Sequence, residues 1–178
     1  MIIPMSKLQF LFVLLCLSLT ISARAQDPYP LHKDVATLDG IIKAYYEVVS
    51  GPAGPKQTER DKSLHYPYAN VMVTGITRTG SHFLRMMTLK EFHENTPDDE
   101  FYENEIHRVT ETFGNITHVW STYEFRDKLH GPIKGRGINS IQLYNDGERW
   151  WILSWVYDTE RSDNPIDPKY LPGSDKGE

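Results

Sequence analysis

The chain has 178 residues, with 24 acidic side chains against 19 basic ones, a net charge of −5 and a single cysteine. That length makes one good hydrophobic core and usually one domain. The acidic balance excludes nucleic acid and anionic membrane as partners, because both need a basic face, and one cysteine excludes an internal disulfide.

Residues 1–25 read as a targeting leader. Lys7 gives a positive start, "LQFLFVLLCLSLTI" is an apolar run, and "SARAQ" offers an Ala23-x-Ala25 cleavage pattern before Gln26. The run is about 14 residues, short of the roughly 20 that span a bilayer. The expectation is therefore export to the periplasm or beyond, with no membrane span after cleavage. Cys16 and two basic residues leave with the leader, so the mature chain keeps no thiol and 17 basic against 24 acidic side chains, a balance of −7.

A helix is expected from Asp34 to Ser50. Asp34 can cap it, Leu38, Ile41, Ile42, Tyr45 and Val49 recur on one face, and Gly51-Pro52 stops it. "TERDKSLHY" reads as a short polar helix ended by Pro67. Strands follow: a hairpin from "NVMVTGITRTG" and "SHFLRMMT", then a single helical excursion, "LKEFHEN", capped by Thr88. Four longer strands are expected at Phe101–Phe113, Ile116–Arg126, Arg136–Tyr144 and Arg149–Tyr157, with Gly114-Asn115 and Asp146-Gly147 as two-residue hairpin turns. From about residue 161, proline, aspartate and glycine dominate an extended tail. The organisation expected is a leader (1–25), one α+β domain (26–160) with helices gathered on one face of a curved antiparallel sheet, and the tail (161–178).

Three stretches carry a resemblance: "DVATLDGIIKAYYEVVSGPAG", "FGNITHVWSTYE" and "RGINSIQLYNDGERWWILSW". Together they resemble the nuclear transport factor 2-like superfamily, and within it the exported bacterial SnoaL-like members. The resemblance covers Asp34 to Tyr157. It implies a cone-shaped α+β fold of the cystatin-like kind with a central cavity, and a tendency to dimerise through the outer sheet face. It implies little about activity, since isomerases, dehydratases, cyclases, ligand binders and dimerisation modules share the fold.

Strict alternation then sorts the residues into faces. Pairing Phe113 with Ile116 puts Arg108, Ser121 and Tyr123 on the concave side, and Glu105, His107, His118 and Trp120 on the outer side. A two-residue turn at Asp146-Gly147 puts Asn139 and Ser154 inward, with Val156, and Trp151 and Trp155 outward. The expected ligand-binding set is Tyr45, Arg108, Ser121, Tyr123, Asn139 and Ser154. Arg108 could equally serve an internal salt bridge, for instance with Glu47. His107, His118 and Glu111 lack the spacing of a metal site, so no metal and no cofactor are expected. No carboxylate or imidazole falls inside, so a proton-transfer enzyme would need His65 or His107 to turn inward. The role expected is binding of a small, partly apolar molecule. The alternatives are a cofactor-independent lyase or isomerase, or a dimerisation module without a ligand. Trp120, Trp151 and Trp155 together imply a homodimer through the outer face.

Overall fold

A computed structural model describes residues 29–173. The leader expected at residues 1–25 lies outside the described residues. Helix α1 (His32–Val35) leads into α2 (Leu38–Val49), and α3 (Thr58–Leu64) precedes strand β1 (His65–Ile76). Strand β2 (His82–Thr88) and helix α4 (Leu89–Asn95) follow, then β3 (Tyr102–Phe113), β4 (Ile116–Arg126), β5 (Gly135–Asn145) and β6 (Trp150–Thr159). The six strands form one sheet in the order β2-β1-β6-β5-β4-β3, antiparallel except where β1 runs parallel to β6. This is the α+β architecture expected from the sequence, with one parallel pair in a sheet expected to be wholly antiparallel.

The expected first helix is two helices. Thr37, not Asp34, caps α2, its hydroxyl accepting from the Gly40 amide at 2.9 Å. Gly40 is required here, because a Cβ would run into the Lys33 carbonyl of α1. Asp34 is instead buried in an ion pair. Arg60 Nε and Nη2 donate to its two carboxylate oxygens at 2.7 and 2.8 Å, and Nη2 also reaches Glu47 at 2.6 Å. Thr88 does cap α4, in a reciprocal box with Glu91.

Ile41, Ile42, Ala44, Tyr45, Tyr46 and Val48 form the buried face of α2. It packs on Val71, Val119, Ile141, Leu143 and Ile152 from the concave side of the sheet. Burial of so many aliphatic side chains, each worth about 1.5–3 kcal/mol, is the main force fixing the helix over the sheet.

Two β-bulges decide what faces that core. The expected β3–β4 register holds from Phe113↔Ile116 to His107↔Thr122, then slips, so that Glu105 pairs with Tyr123 and Glu103 with Phe125. In the last hairpin the loop has four residues rather than two: Asn145 pairs with Trp150. Asp146 organises it by accepting from the Glu148 and Arg149 amides. A second bulge at Leu153 then pairs Ile141 with Trp155 and Asn139 with Tyr157.

The consequences correct three assignments. Trp155 and Tyr157 point into the core side, and Trp155 is only 3% exposed. Ser154 and Val156 move to the outer face, opposite Gln142 and Ser140. Glu103 and Glu105 turn inward. Each follows from one extra residue in a period-two pattern, which inverts every side chain beyond it.

Candidate functional site

Between α2, the segment from α4 to β3, and the concave ends of β4–β6 lies a cavity of about 410 Å³. Six aromatic side chains form much of its wall. Tyr45 and Trp155 meet edge to face with centroids 6.0 Å apart, Trp155 lies along Tyr157 at 6.2 Å, and Tyr157 meets Tyr123 at 6.4 Å. Phe92 packs against Trp155 at 5.1 Å, and Phe101 adds another side. Asn139 and Glu103 supply polar groups to the lining, and Asp99 and Asp127 are exposed at the rim.

The glycines of β5 make room for part of this wall. Tyr123 lies across its partner Gly137, and Phe125 lies across Gly135; a Cβ at either glycine would overlap the ring. The two aromatics therefore lean over β5 and lie flat beside the cavity.

A directed chain of hydrogen bonds runs from the cavity to the sheet edge. Tyr45 donates to Asn139 Oδ1 at 3.2 Å, and Asn139 Nδ2 donates to the Tyr46 hydroxyl at 3.2 Å. Ser121 donates to Glu105, so the 2.6 Å contact between Tyr46 and Ser121 has Tyr46 as donor. Arg108 closes the chain by donating to Glu105 through Nε and Nη2, and to Asp39 through Nη1 at 2.7 Å. Burial pushes the hydroxyl pKa values of Tyr45 and Tyr46 upward, aided by the nearby Glu103 carboxylate. Both stay neutral donors.

Of the six residues expected to bind a ligand, Tyr45, Tyr123 and Asn139 line the cavity. Ser121 lies two hydrogen bonds behind it, joined to Asn139 through Tyr46. Arg108 is on the helix side of the sheet as expected, but it lines a neighbouring cleft and is held by Glu105 and Asp39, not by Glu47. Ser154 is on the opposite face of the sheet.

Glu103 is the residue that alternation missed. Burial pushes its carboxyl up to about 7, opposed only by a long 3.5 Å contact from the Asn139 amide. Without the bulge at position 106 it would point outward, and nothing in "YENEIHRV" marks a bulge. Trp155 and Tyr157 escaped for the same reason, because the unbroken run "WWILSWVY" has no alternation to give its parity.

Neither candidate histidine base reaches the cavity. His65 is buried, with Nδ1 2.9 Å from the Asp61 carbonyl and Nε2 accepting from Trp155 Nε1 at 3.1 Å. Both ring nitrogens are thereby used, and the ring is a fixed strut under Trp155. His107 pairs with Thr122 on the outer face. Asp61 does line the cavity, although burial favours its protonation. His65 and His93 more than offset that, His93 Nε2 lying 2.7 Å from Oδ2, and hold the carboxyl down to about 2. His118 contacts Ser140 at 3.1 Å and stands 4.0 Å from Glu111. Among the described residues no group of three or more metal-ligating side chains is gathered.

The outer face differs from the expected three-tryptophan surface. Trp155 is inside, and the tail crosses Trp120: Tyr170 packs its ring 5.8 Å away and accepts from Thr122 through its carbonyl at 2.7 Å. Trp151 stays outside, with the Arg149 guanidinium 3.6 Å over its ring. Among the described residues no helix is long and apolar enough to cross a membrane.

No protein-family model matches the chain, and no curated protein matches it in sequence. Solved structures do match in fold. A cystatin-like protein of unknown function from Nostoc punctiforme PCC 73102 superposes with a TM-score of 0.52 at 8% identity, over 68% of this chain and 88% of that one. LinA gives 0.54 at 10% identity, over 75% and 92%. An uncharacterised cystatin-like protein from Caulobacter vibrioides gives 0.51 at 11%, over 72% and 90%. At these identities the likeness is one of fold alone.

Proposed function

We propose that this nuclear transport factor 2-like, cystatin-like fold binds a small, partly apolar molecule in its central cavity. The observation that carries the reading is the lining itself. A space of about 410 Å³ with an aromatic wall on one side and polar groups set into the rest of its lining is the usual form of a small-molecule site. The test is a fragment screen by ligand-observed NMR against the wild type and Val49→Trp, which fills the cavity from the end of α2. Fragments should bind the wild type and be lost from the variant. Fragments that bind both equally would place recognition elsewhere and overturn the reading.

A second reading is favoured by Glu103. A carboxyl pushed up to about 7 inside a mostly apolar cavity is matched to proton transfer near neutral pH. A cofactor-independent lyase or isomerase would use Glu103 as its base, in the role that the sequence had assigned to a histidine. Its check is exchange of the α-protons of a bound ketone fragment in D₂O, present in the wild type and lost in Glu103→Gln.

Two further parts of the proposal concern setting. Export, with cleavage before Gln26, is tested by the N-terminal sequence of the mature protein. A homodimer through the outer face rests on a different patch from the tryptophan trio. Phe113, Ile116, Tyr144 and Trp151 are successive cross-strand partners, and Tyr66 meets both Tyr144 and Trp151 edge to face.

A further inference from the structure

The cavity is unbalanced in both charge and hydrogen bonding. Its charged lining residues are Asp61, Asp99, Glu100, Glu103 and Asp127 against Lys56 alone. Lys56 turns one N–H of its ammonium to the Asp99 carbonyl at 2.6 Å. Glu100 and Asp127 have lysine partners at the surface, and Asp61 has its two histidines. Glu103 has only the long contact from Asn139.

Beside Glu103, the donors of Tyr45 and Asn139 are committed. Tyr45 gives its proton to Asn139, and the Asn139 amide points at Tyr46 and Glu103. The nearest guanidinium, Arg108, is held by Glu105 and Asp39 outside the cavity. An anionic ligand would therefore meet five carboxyl groups with the Lys56 ammonium alone to set against them. A ligand that brings its own N–H donors and positive charge meets the opposite environment. It finds an acceptor in Glu103 and π-rich walls in Tyr45, Tyr123, Trp155 and Tyr157, the combination that stabilises a desolvated cation.

We infer that the molecule held in this cavity is a cation, an ammonium on a small apolar frame, with its nitrogen against Glu103 and its hydrocarbon against the aromatic wall. The inference rests on the reading of the cavity as a small-molecule site and adds the ligand's charge. Burial, which holds the Glu103 proton up to about pH 7 in the empty cavity, makes binding release that proton. Affinity for a permanently charged ligand therefore rises with pH across neutrality.

The test uses three probes of one size and shape in calorimetric titrations of the mature protein: 2-phenylethylammonium, 2-phenylethanol and phenylacetate. The ammonium should bind at least about tenfold tighter than the alcohol, and phenylacetate most weakly. In Glu103→Gln the ammonium's advantage should vanish while the alcohol's affinity is kept. Independently of any variant, wild-type affinity for the ammonium should rise from about pH 6 to about pH 8, with the alcohol's affinity not following. Equal or tighter binding of the alcohol or of phenylacetate overturns the cation assignment and leaves the cavity reading intact. Absence of binding by all three at millimolar concentration, together with fragment hits that ignore Val49→Trp, overturns both.

Discussion

Glu103 and Arg60 show how burial acts on single charges in opposite contexts. The Arg60 guanidinium is satisfied on both sides, by Asp34 and by Glu47, and those hydrogen bonds hold its pKa above the ordinary value against the opposing effect of burial. Asp34 is 3% exposed, so removing its partner strands a carboxylate. Arg60→Ala should destabilise the fold by about 3–5 kcal/mol in urea denaturation. A loss below about 1 kcal/mol would mean that water reaches Asp34. Glu103 lacks such a partner, and its folded pKa of about 7 stands above the ordinary 4.5. Raised in this direction, it favours the fold in its protonated form. It costs nothing at low pH, and the cost accumulates as pH rises from about 4.5 through about 7. Glu103→Gln should therefore match the wild type at about pH 4 and exceed it by about 1–3 kcal/mol at about pH 8. A stability difference that does not change with pH would remove the basis for a raised pKa.

Strands, rather than helices, are where the sequence was least transparent. Helix α2 was legible because Ile41, Ile42 and Tyr45 repeat at helical spacing, and α4 because Thr88 offers a cap, to which the structure adds the reciprocal bond from Glu91. The bounds of β2 to β6 were legible within two residues, because turn signals frame them; β1 begins at His65, five residues early, where the short helix was expected to continue to Pro67. The half of the site on β4, with Ser121 and Tyr123, followed from a register that a tight turn at Gly114-Asn115 sets. What was hidden depends on the single extra residues in β3 and β6, which bring in Glu103, Trp155 and Tyr157 and expel Ser154. A bulge is a compromise among neighbouring strands: the irregularity at Leu153 faces the long break in β1 between His65 and Asn70. No local pattern in either strand encodes that match. Gly137 gives the element its own check. Its missing Cβ leaves space for Tyr123 and lies close to the Asp158 carbonyl. Gly137→Ala should cost about 1–3 kcal/mol by overpacking. It should also shift the ring resonances of Tyr123 and Tyr157. An unchanged melting temperature would show that Tyr123 can leave the glycine freely.

At the level of the assembled protein, the apolar surface left uncovered decides how the chain associates. Two of the three tryptophans that implied a dimer are accounted for within one chain, Trp155 by the core and Trp120 by the tail. In the five-residue row from Phe113 through Ile116, Tyr144 and Trp151 to Tyr66, only Trp151 is covered, by Arg149, while Phe113 is 86% exposed, Ile116 57% and Tyr66 46%. Side chains on one sheet face in direct register form a continuous strip, and a strip of this kind buries itself most simply against a second copy across a two-fold axis. The protein without residues 1–25 should therefore sediment as a dimer at micromolar concentration. Ile116→Asp adds a charge at an exposed position, so the fold should survive while the dimer weakens by about tenfold or more. Trp120→Ser should leave the association state unchanged, because the tail and not the partner covers that ring. A wild type that sediments as a monomer would sink the proposal outright. A dimer insensitive to Ile116→Asp but broken by Trp120→Ser would mean that the tail swings away and that the interface lies on the central strands.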